Sequence, residues 1–269
     1  MTSYGFDPTW SGERERMALA ELILDPVTIR QLESIGVGEG MRCLEVGAGA
    51  GSMARWLAAR VGSRGRVVAT DIDTRFLEDG AGYEVLHHDI VAGPPEPAGF
   101  DRAHARLVLQ HVADKERAVA NLVAALVPGG WLLVEELDFT SSGAAGSLGA
   151  REFARVERAM HRFLAATGFD PAFGRHLPKR FRSAGLVDVE GRGGLSVVRG
   201  GSPYAVWYAQ SIEALRARLL AAGLVSEAEV DRACRLLDDP EFELVTPALI
   251  STRGRRPETP LLGSSAGAR

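Results

Sequence analysis

This 269-residue sequence contains little cysteine and little lysine. It has two cysteines, Cys43 and Cys234, and both lie in apolar stretches, which favours buried reduced thiols over a disulfide. It has two lysines, Lys115 and Lys179, so arginine carries nearly all of the positive charge. Because the net charge is -4, the composition predicts no nucleic-acid partner.

Long apolar runs are also missing. No stretch approaches the roughly 20 apolar residues of a transmembrane helix, so no membrane contact is predicted. The first twenty residues lack the apolar segment of a secretory signal peptide. Together with the low cysteine content, these absences predict a cytoplasmic location. What remains is an ordinary globular composition, 46% hydrophobic and 25% charged.

One segment carries a clear chemical signal, because three glycines alternate with small residues after a short apolar run. It reads Leu-Glu-Val-Gly-Ala-Gly-Ala-Gly-Ser over residues 44–52. This pattern predicts a strand, a tight turn and a helix start whose free N–H groups face a ligand. Asp71 ends a second apolar strand, where its carboxylate can accept hydrogen bonds from ribose hydroxyls. The segment therefore predicts a site for a cofactor that contains a nucleoside.

Spacing and charge indicate which cofactor this is. The dinucleotide-binding pattern G-x-G-x-x-G would need glycine at the position of Ser52. The carboxylate of Glu45, just before the first glycine, would repel a pyrophosphate but suits a ligand with an amino group or a sulfonium. Charge therefore favours S-adenosylmethionine over NAD. A glycine turn that binds no ligand is the structural alternative.

Strands and helices alternate in the first half of the chain. The predicted strands cover residues 42–46, 66–71, 83–86, 100–105 and 131–137, and the predicted helices cover about 52–61 and 114–126. A tight turn at 128–130 leads into the fifth strand. Two earlier helices are predicted at about 11–24 and 26–35, with Asp25 as the cap of the second. Repeated βαβ units favour a mostly parallel, doubly wound sheet.

The second half of the chain is richer in helices with apolar stripes. Helices are predicted over 149–167, 177–184 and 203–221 and after Ser226, where Glu229 gives a capping-box spacing; strands are predicted over 187–198 and 242–252. We therefore divide the chain into an N-terminal helical cap (1–40), a cofactor-binding Rossmann-like core (41–140), the rest of the sheet with helical lid insertions at 149–167 and 203–238 (141–255), and a flexible tail (256–269).

The order of these motifs resembles a known family. After the glycine segment and Asp71 come Asp89-Ile90, then Phe100-Asp101 through Leu109-Gln110-His111-Val112, and then Pro128-Gly129-Gly130. Together they resemble class I S-adenosylmethionine-dependent methyltransferases of the small-molecule type, closely over about 40–138 and loosely elsewhere. The resemblance implies an α/β fold with a doubly wound, seven-stranded Rossmann-like sheet whose last strand is antiparallel, plus helical cap elements. It also implies S-adenosyl-L-methionine as the cofactor.

The resemblance further implies roles for single residues. Those that would line the methionine and ribose side of the cofactor are Glu45, Gly47, Ala48, Gly49, Gly51, Ala105 and Arg106. Glu45 would orient the amino group, and Arg106 would bind either the cofactor carboxylate or an acidic group of the substrate. Asp71 would bind the ribose diol. Ile72, Asp89 and Ile90 would contact adenine.

Candidates for the remaining chemistry are fewer. His111 follows the fourth strand, and an ordinary histidine pKa of about 6.5 would suit a general base, although a packing role is the alternative. The adjacent His87 and His88 would point to opposite faces of a strand, so no metal site is predicted. The residues that would form an apolar substrate pocket, or else plain core, are Met160, Phe163, Tyr204, Trp207 and Tyr208.

The sequence therefore predicts a methyltransferase that acts on a small, largely apolar secondary metabolite. A homodimer is left open. One alternative is a protein of the same fold that binds S-adenosylmethionine but catalyses a non-methylating rearrangement or only binds the cofactor. Another is an NAD-dependent oxidoreductase.

Overall fold

The computed structural model describes residues 10–144, 146 and 149–258. The helices are α1 (Glu13–Ser34), α2 (Ser52–Val61), α3 (Lys115–Ala125), α4 (Ala150–Ala165), α5 (Phe173–Ser183), α6 (Pro203–Ala221) and α7 (Glu227–Asp238). The strands are β1 (Arg42–Val46), β2 (Arg66–Asp71), β3 (Glu84–His87), β4 (Phe100–Arg106), β5 (Leu126–Asp138), β6 (Gly143–Ala144), β7 (Val187–Gly194), β8 (Val197–Arg199), β9 (Glu243–Val245) and β10 (Ala248–Arg255).

Seven strands form one sheet in the order β3-β2-β1-β4-β5-β10-β7. The first five strands of that order are all parallel to one another. Strand β10 pairs antiparallel with both β5 and β7. The predicted fold class, a doubly wound seven-stranded sheet with its last strand antiparallel, is confirmed. In a parallel sheet the carboxyl ends of the strands meet at one edge, so β1, β2 and β4 present the residues that follow them on the same side.

The turn predicted at 128–130 is instead part of strand β5. Leu126 already pairs with Phe100 of β4, and the register then shifts before Trp131 pairs with Arg102. Gly129 takes a left-handed φ of +80°, and its N–H donates to the carbonyl of Arg256. The glycine pair thus forms a bulge within a strand that starts earlier than predicted. Arg256 is fixed by this pairing, and residues 259–269 of the predicted tail lie outside the described residues.

Two predicted strands are each divided between two sheets. The segment predicted as 187–198 forms β7 in the large sheet and β8 in a small one, and the segment predicted as 242–252 forms β9 and β10 in the same way. The small sheet has the order β6-β9-β8 and is antiparallel. The interruption after β9 is stabilised by Thr246, whose hydroxyl accepts the N–H of Ser196.

A single helix, α1, replaces the two helices predicted before the sheet. Pro26 lies inside it, and Asp25 is not a cap. Leu24, Thr28 and Leu32, spaced four apart, are buried along one face of α1. Burial of this continuous face offsets the hydrogen bond that proline cannot make.

The core is divided between the sheet and a helical layer. Apolar side chains of α2, α3 and α5 pack against the sheet, whereas α4, α6 and α7 pack against one another and against α1. The predicted capping box of α7 is present between Ser226 and Glu229. Cys43 and Cys234 are free thiols, as predicted. Among the described residues, no helix combines the length and hydropathy that a membrane span requires.

Candidate functional site

A cavity of about 580 Å³ lies at the carboxyl edge of the parallel strands. The loops after β1, β2 and β3 form one end of it, and residues after β4 and β5 with helices α4 and α6 form the other. Most of the residues that the sequence assigned to a site line this cavity: Glu45, Gly47, Ala48, Gly49, Asp71, Ile72, Asp89, Ile90, Arg106, His111, Met160, Trp207 and Tyr208.

Four residues assigned to the site do not line the cavity. Gly51 is the N-cap of α2, and Ala105 is fully buried within the sheet. Tyr204 packs behind the wall against Trp207 and Tyr208, with ring centroids 5.5 and 6.0 Å apart. The ring of Phe163 instead faces the guanidinium of Arg218 at 5.0 Å. The helical stripe that suggested these two aromatic residues extends beyond the face that meets the cavity.

Glycine is needed for a different physical reason at each of the first two glycine positions of the loop. Gly47 has a φ of +67°, and a Cβ there would lie 2.1 Å from Val108 Cγ2, so glycine is needed for close packing. Gly49 has a φ of +57°, and the nearest atom to a Cβ there would be Met17 Sδ at 4.0 Å. A side chain at Gly49 would therefore project into the cavity.

Asp71 ties the glycine loop to the end of β2. Its Oδ2 accepts the N–H of Gly49 at 2.9 Å, and its Oδ1 accepts the N–H of Asp73 at 3.0 Å. Burial raises the pKa of the Asp71 carboxyl in spite of these backbone hydrogen bonds. Each carboxylate oxygen has a second lone pair, so Asp71 can still accept from hydroxyl groups of a ligand.

The loops after β2 and β3 form the far wall of the same end. Ile72 is 44% exposed on the cavity side, and Ile90 is buried opposite the sheet edge. Asp89 Oδ1 accepts the N–H of Val91 at 2.9 Å, and Asn121 donates to the carbonyl of Ile90 at 2.6 Å. These bonds fix an apolar slot with one carboxylate at its rim.

Glu45 belongs to a buried polar network that the sequence did not predict. Its Oε2 lies 2.7 Å from Nδ1 of His104, and Nε2 of His104 lies 3.6 Å from Glu135 Oε2. Burial by itself lowers the pKa of His104, but attraction to Glu45 and Glu135 outweighs it and raises the pKa to about 9. His104 is therefore an imidazolium at neutral pH.

Arg106 is bound to helix α1. Its guanidinium donates to Asp25 Oδ1 and to the Thr28 hydroxyl, both at 2.8 Å. Asp25 also accepts the hydroxyl of Ser52 at 3.2 Å, at the start of α2. The guanidinium that the sequence offered to a cofactor or substrate acid thus joins β4 to α1, and Asp25 in turn joins α1 to the start of α2.

His111 lies in the cavity wall, but its pKa differs from the one expected. Burial lowers the pKa of His111 to about 3, and the charges of Arg16 and Lys115 act in the same direction. Its ring lies 5.2 Å from that of Phe169, and its Nε2 lies 3.2 Å from the Gln110 amide. The expectation of an ordinary histidine pKa is therefore wrong, and His111 is a neutral, weak base at neutral pH.

Next to His111 stands Glu136, which holds the loop after β4. One oxygen of Glu136 accepts the N–H groups of Val108 and Leu109, at 3.1 and 2.6 Å. Burial raises the pKa of Glu136 to about 8 in spite of these bonds. Glu136 does not line the cavity, so it shapes the wall from behind.

The other end of the cavity is apolar and aromatic. Phe139, His161 and Phe169 pack together with centroids 4.7 to 5.7 Å apart. Burial lowers the pKa of His161 to about 4, so this histidine is also neutral at neutral pH. The side chains that complete this end are Leu137, Met160, Leu164, Trp207 and Tyr208. Within the described residues, no group of three or more His, Cys, Asp or Glu is arranged to hold a metal ion.

The sequence predicted a helical cap over 1–40, but it did not indicate which residues of α1 line the cavity. Its lining residues are Glu13, Arg16, Met17, Ala20 and Glu21, a helical spacing along one face. Glu13 and Arg16 form a buried ion pair with a shortest distance of 2.6 Å. The signal was present as polar residues at helical spacing, but such a stripe is ordinarily a solvated surface.

Comparisons with known proteins agree with this geometry. Residues 44–132 match a family model described as a methyltransferase domain. The chain is 31% identical over 150 residues to methyltransferase str2 of Strobilurus tenacellus, covering 55% of this chain and 54% of that protein. It is 33% identical over 113 residues to the ubiquinone/menaquinone biosynthesis C-methyltransferase UbiE of Laribacter hongkongensis, covering 39% and 46%. The matched part thus spans about half the length of these curated relatives.

Solved structures are similar in fold over a larger share of the chain. The phosphoethanolamine N-methyltransferase 2 of Haemonchus contortus superposes with a TM-score of 0.51 at 17% identity, covering 91% of this chain and 52% of that one. The [4+2]-cyclase SpnF superposes with a TM-score of 0.54 at 18% identity, covering 87% and 81%. At these identities the likeness is one of fold.

Proposed function

This chain carries a class I S-adenosylmethionine-dependent methyltransferase domain, and on that premise we propose that it methylates a small, largely apolar, uncharged acceptor. The single observation that carries the proposal is the two-ended cavity. One end offers carboxylates, glycine backbone and an apolar slot. The other offers aromatic and aliphatic side chains and two neutral histidines, and Arg16 in its wall is ion-paired with Glu13.

The polar end fits the cofactor part by part. Asp71 has lone pairs for the ribose diol, and Gly49 leaves free the space that a side chain would fill. Ile72, Ile90 and Asp89 form a slot with one acceptor, which suits adenine and its amino group. Glu45 supplies a buried carboxylate for the cationic amino group. We assign Arg106 to holding α1, since both of its described partners lie on that helix.

When bound, S-adenosylmethionine supplies a methyl group on a sulfonium sulfur. In-line transfer requires that the protein hold the acceptor in line and exclude water. In our proposal α1 and α6 close the cavity from outside, and Phe139, Phe169, Met160 and Trp207 hold the acceptor by apolar contact. His111 contributes a neutral polar edge beside the acceptor and does not act as the general base.

The choice of an uncharged acceptor follows from the charges near the apolar end. His111 and His161 are neutral, and Arg16 in the wall is ion-paired with Glu13. The hydroxyl of Tyr208 is engaged with Glu157 at 3.1 Å. A charged acceptor would lose its hydration without a partner of opposite charge, which is costly in a buried site. We place the acceptor among cytoplasmic secondary metabolites, such as polyketide, terpenoid or aromatic intermediates.

Label transfer tests the proposal directly. The protein is incubated with methyl-labelled S-adenosylmethionine and a panel of neutral aromatic and polyketide-type acceptors, alongside carboxylated analogues of the same compounds. We expect label in at least one neutral acceptor, formation of S-adenosylhomocysteine, and little label in its carboxylated analogue. Preference for the carboxylated compounds would contradict the acceptor class.

Binding measurements separate the alternatives. S-adenosylhomocysteine should bind in calorimetry, whereas NADH should not, because the glycine spacing and Glu45 do not suit a pyrophosphate. Cofactor binding without any methyl transfer would favour the alternative of a non-methylating or binding-only protein. Binding of NADH alone would overturn the cofactor assignment.

A further inference from the structure

We propose that His104 is a positioning residue of the cofactor site, which holds the Glu45 carboxylate at the cavity wall for the amino group of the cofactor. The inference rests on the proposed function. It concerns a residue that does not itself line the cavity.

Strand register places His104 directly beside Glu45. The two residues are partners across the parallel strands β1 and β4. Their side chains meet on one face of the sheet, with Nδ1 of His104 2.7 Å from Glu45 Oε2. Both are buried, at 1% and 3% exposure, so water cannot replace this contact easily. The bond fixes one oxygen of Glu45 and leaves the other lone pairs of its carboxylate for a ligand.

The far side of His104 faces a second carboxylate, which is itself fixed. Glu135 lies 3.6 Å from Nε2, and its own oxygens accept the hydroxyls of Thr28 on α1 and Ser251 on β10. With carboxylates at both ends and 1% exposure, the ring has no room to turn away. His104 therefore transmits a fixed orientation from the sheet to Glu45.

The charges of the cluster indicate the ligand group. Glu45 and Glu135 carry two formal negative charges and His104 carries one positive charge, and all three side chains are buried. A buried cluster with one excess negative charge is unfavourable unless a cation joins it. Of the two carboxylates beside His104, only that of Glu45 lines the cavity. A ligand ammonium group at Glu45 would therefore neutralise the excess negative charge.

A pair of ligands isolates this role. S-adenosylhomocysteine carries the amino acid, whereas 5′-methylthioadenosine has the same adenosine and thioether without it. In His104→Asn we expect the dissociation constant of S-adenosylhomocysteine to rise roughly tenfold or more, because a charge-assisted contact is lost. The constant for methylthioadenosine should stay within about twofold, which a general structural defect would not allow. His176→Asn, an exposed histidine on α5, is the matched control.

A double-mutant cycle provides the second readout. Glu45→Gln should cause the same selective loss, and adding His104→Asn to it should cause little further loss, since both act through one carboxylate. A measurement on the unaltered protein tests the role of His104 even if the variants do not fold. Nitrogen NMR of labelled histidines should show one imidazolium that persists at pH 8 and shifts with S-adenosylhomocysteine but not with methylthioadenosine.

The outcomes distinguish the inference from the proposed function. If the unaltered protein binds neither ligand, the proposed function fails and the inference with it. If it binds both, but His104→Asn weakens both equally or neither, or if the two single losses add fully, only the role of His104 is overturned.

Discussion

At the scale of single residues, Gly49 allows the glycine-loop argument to be tested against backbone strain. Gly49 and Gly223 both have positive φ, at +57° and +65°, but a Cβ at Gly223 would meet nothing within 4 Å and lies away from the cavity. Valine costs a comparable strain at either position. We expect Gly49→Val to abolish S-adenosylhomocysteine binding by calorimetry, and Gly223→Val to retain it with a similar drop in melting temperature. Micromolar binding by Gly49→Val would refute the role of the loop.

His111 gives a second prediction at this scale, which needs an acceptor identified by label transfer. A general base with an ordinary pKa would contribute roughly 10²–10⁴-fold to turnover. Because burial and the charges of Arg16 and Lys115 lower the pKa of His111 to about 3, we expect His111→Gln to keep turnover within a few-fold of the parent. The profile of kcat should show no step from this residue between pH 6 and 8. A hundredfold loss of turnover in His111→Gln, with a flattened pH profile, would instead support His111 as the general base.

Asp71 and His104 show what sequence can and cannot predict about single residues. Asp71 is recognisable because it ends an apolar strand one unit after a glycine loop, and the structure has it bonded to Gly49. His104 is 59 residues from Glu45, and only the pairing register of β1 and β4 makes them neighbours. A polar residue within a strand does not reveal its partner until the order and register of the strands are known.

At the scale of secondary structure, the departures from prediction occur where tertiary burial outweighs local preference. Pro26 is a strong signal for a helix start, yet α1 continues through it because Leu24, Thr28 and Leu32 form one buried face. The glycine pair after Pro128 reads as a turn, yet it forms a bulge because the backbone of Arg256, just after β10, binds both glycines. Periodicity identified the long elements α4, α6 and α7 well, since their stripes are what the helical layer buries.

Two aromatic residues of the helical layer give a matched pair of variants. Trp207 on α6 lines the cavity, whereas Phe163 on α4 faces Arg218 outside its wall. We expect Trp207→Ala to raise the KM for the acceptor severalfold and leave S-adenosylhomocysteine affinity nearly unchanged. Phe163→Ala should change neither constant, although truncation of packed aromatic residues will lower the melting temperature of both variants. Equal effects on KM would show that the cavity wall has been misassigned.

At the scale of the whole molecule, the buried titratable groups determine how stability changes with pH. The folded pKa of His104 is raised from 6.5 to about 9 and that of Glu136 from 4.5 to about 8, so the native protein binds more protons than the unfolded chain between those values. Their contribution is therefore present at low pH and is lost as pH rises through the folded pKa. His111 and His161, lowered to about 3 and 4, act in the opposite sense, and stability falls as pH drops below 6.5.

The alkaline loss can be assigned to His104 by comparing variants. From a folded pKa of about 9 against 6.5, linkage gives about 2 kcal/mol of stability lost between pH 7 and 10. Buried thiols and tyrosines also destabilise the fold in this range, but they do so equally in a variant that lacks only His104. Urea unfolding of the parent protein, His104→Asn and His176→Asn at pH 7 and 10 should therefore show a smaller pH dependence in His104→Asn by about 2 kcal/mol. Parallel profiles for all three would mean that His104 is not protonated in the native protein, and the charge balance that favours an ammonium ligand at Glu45 would no longer hold.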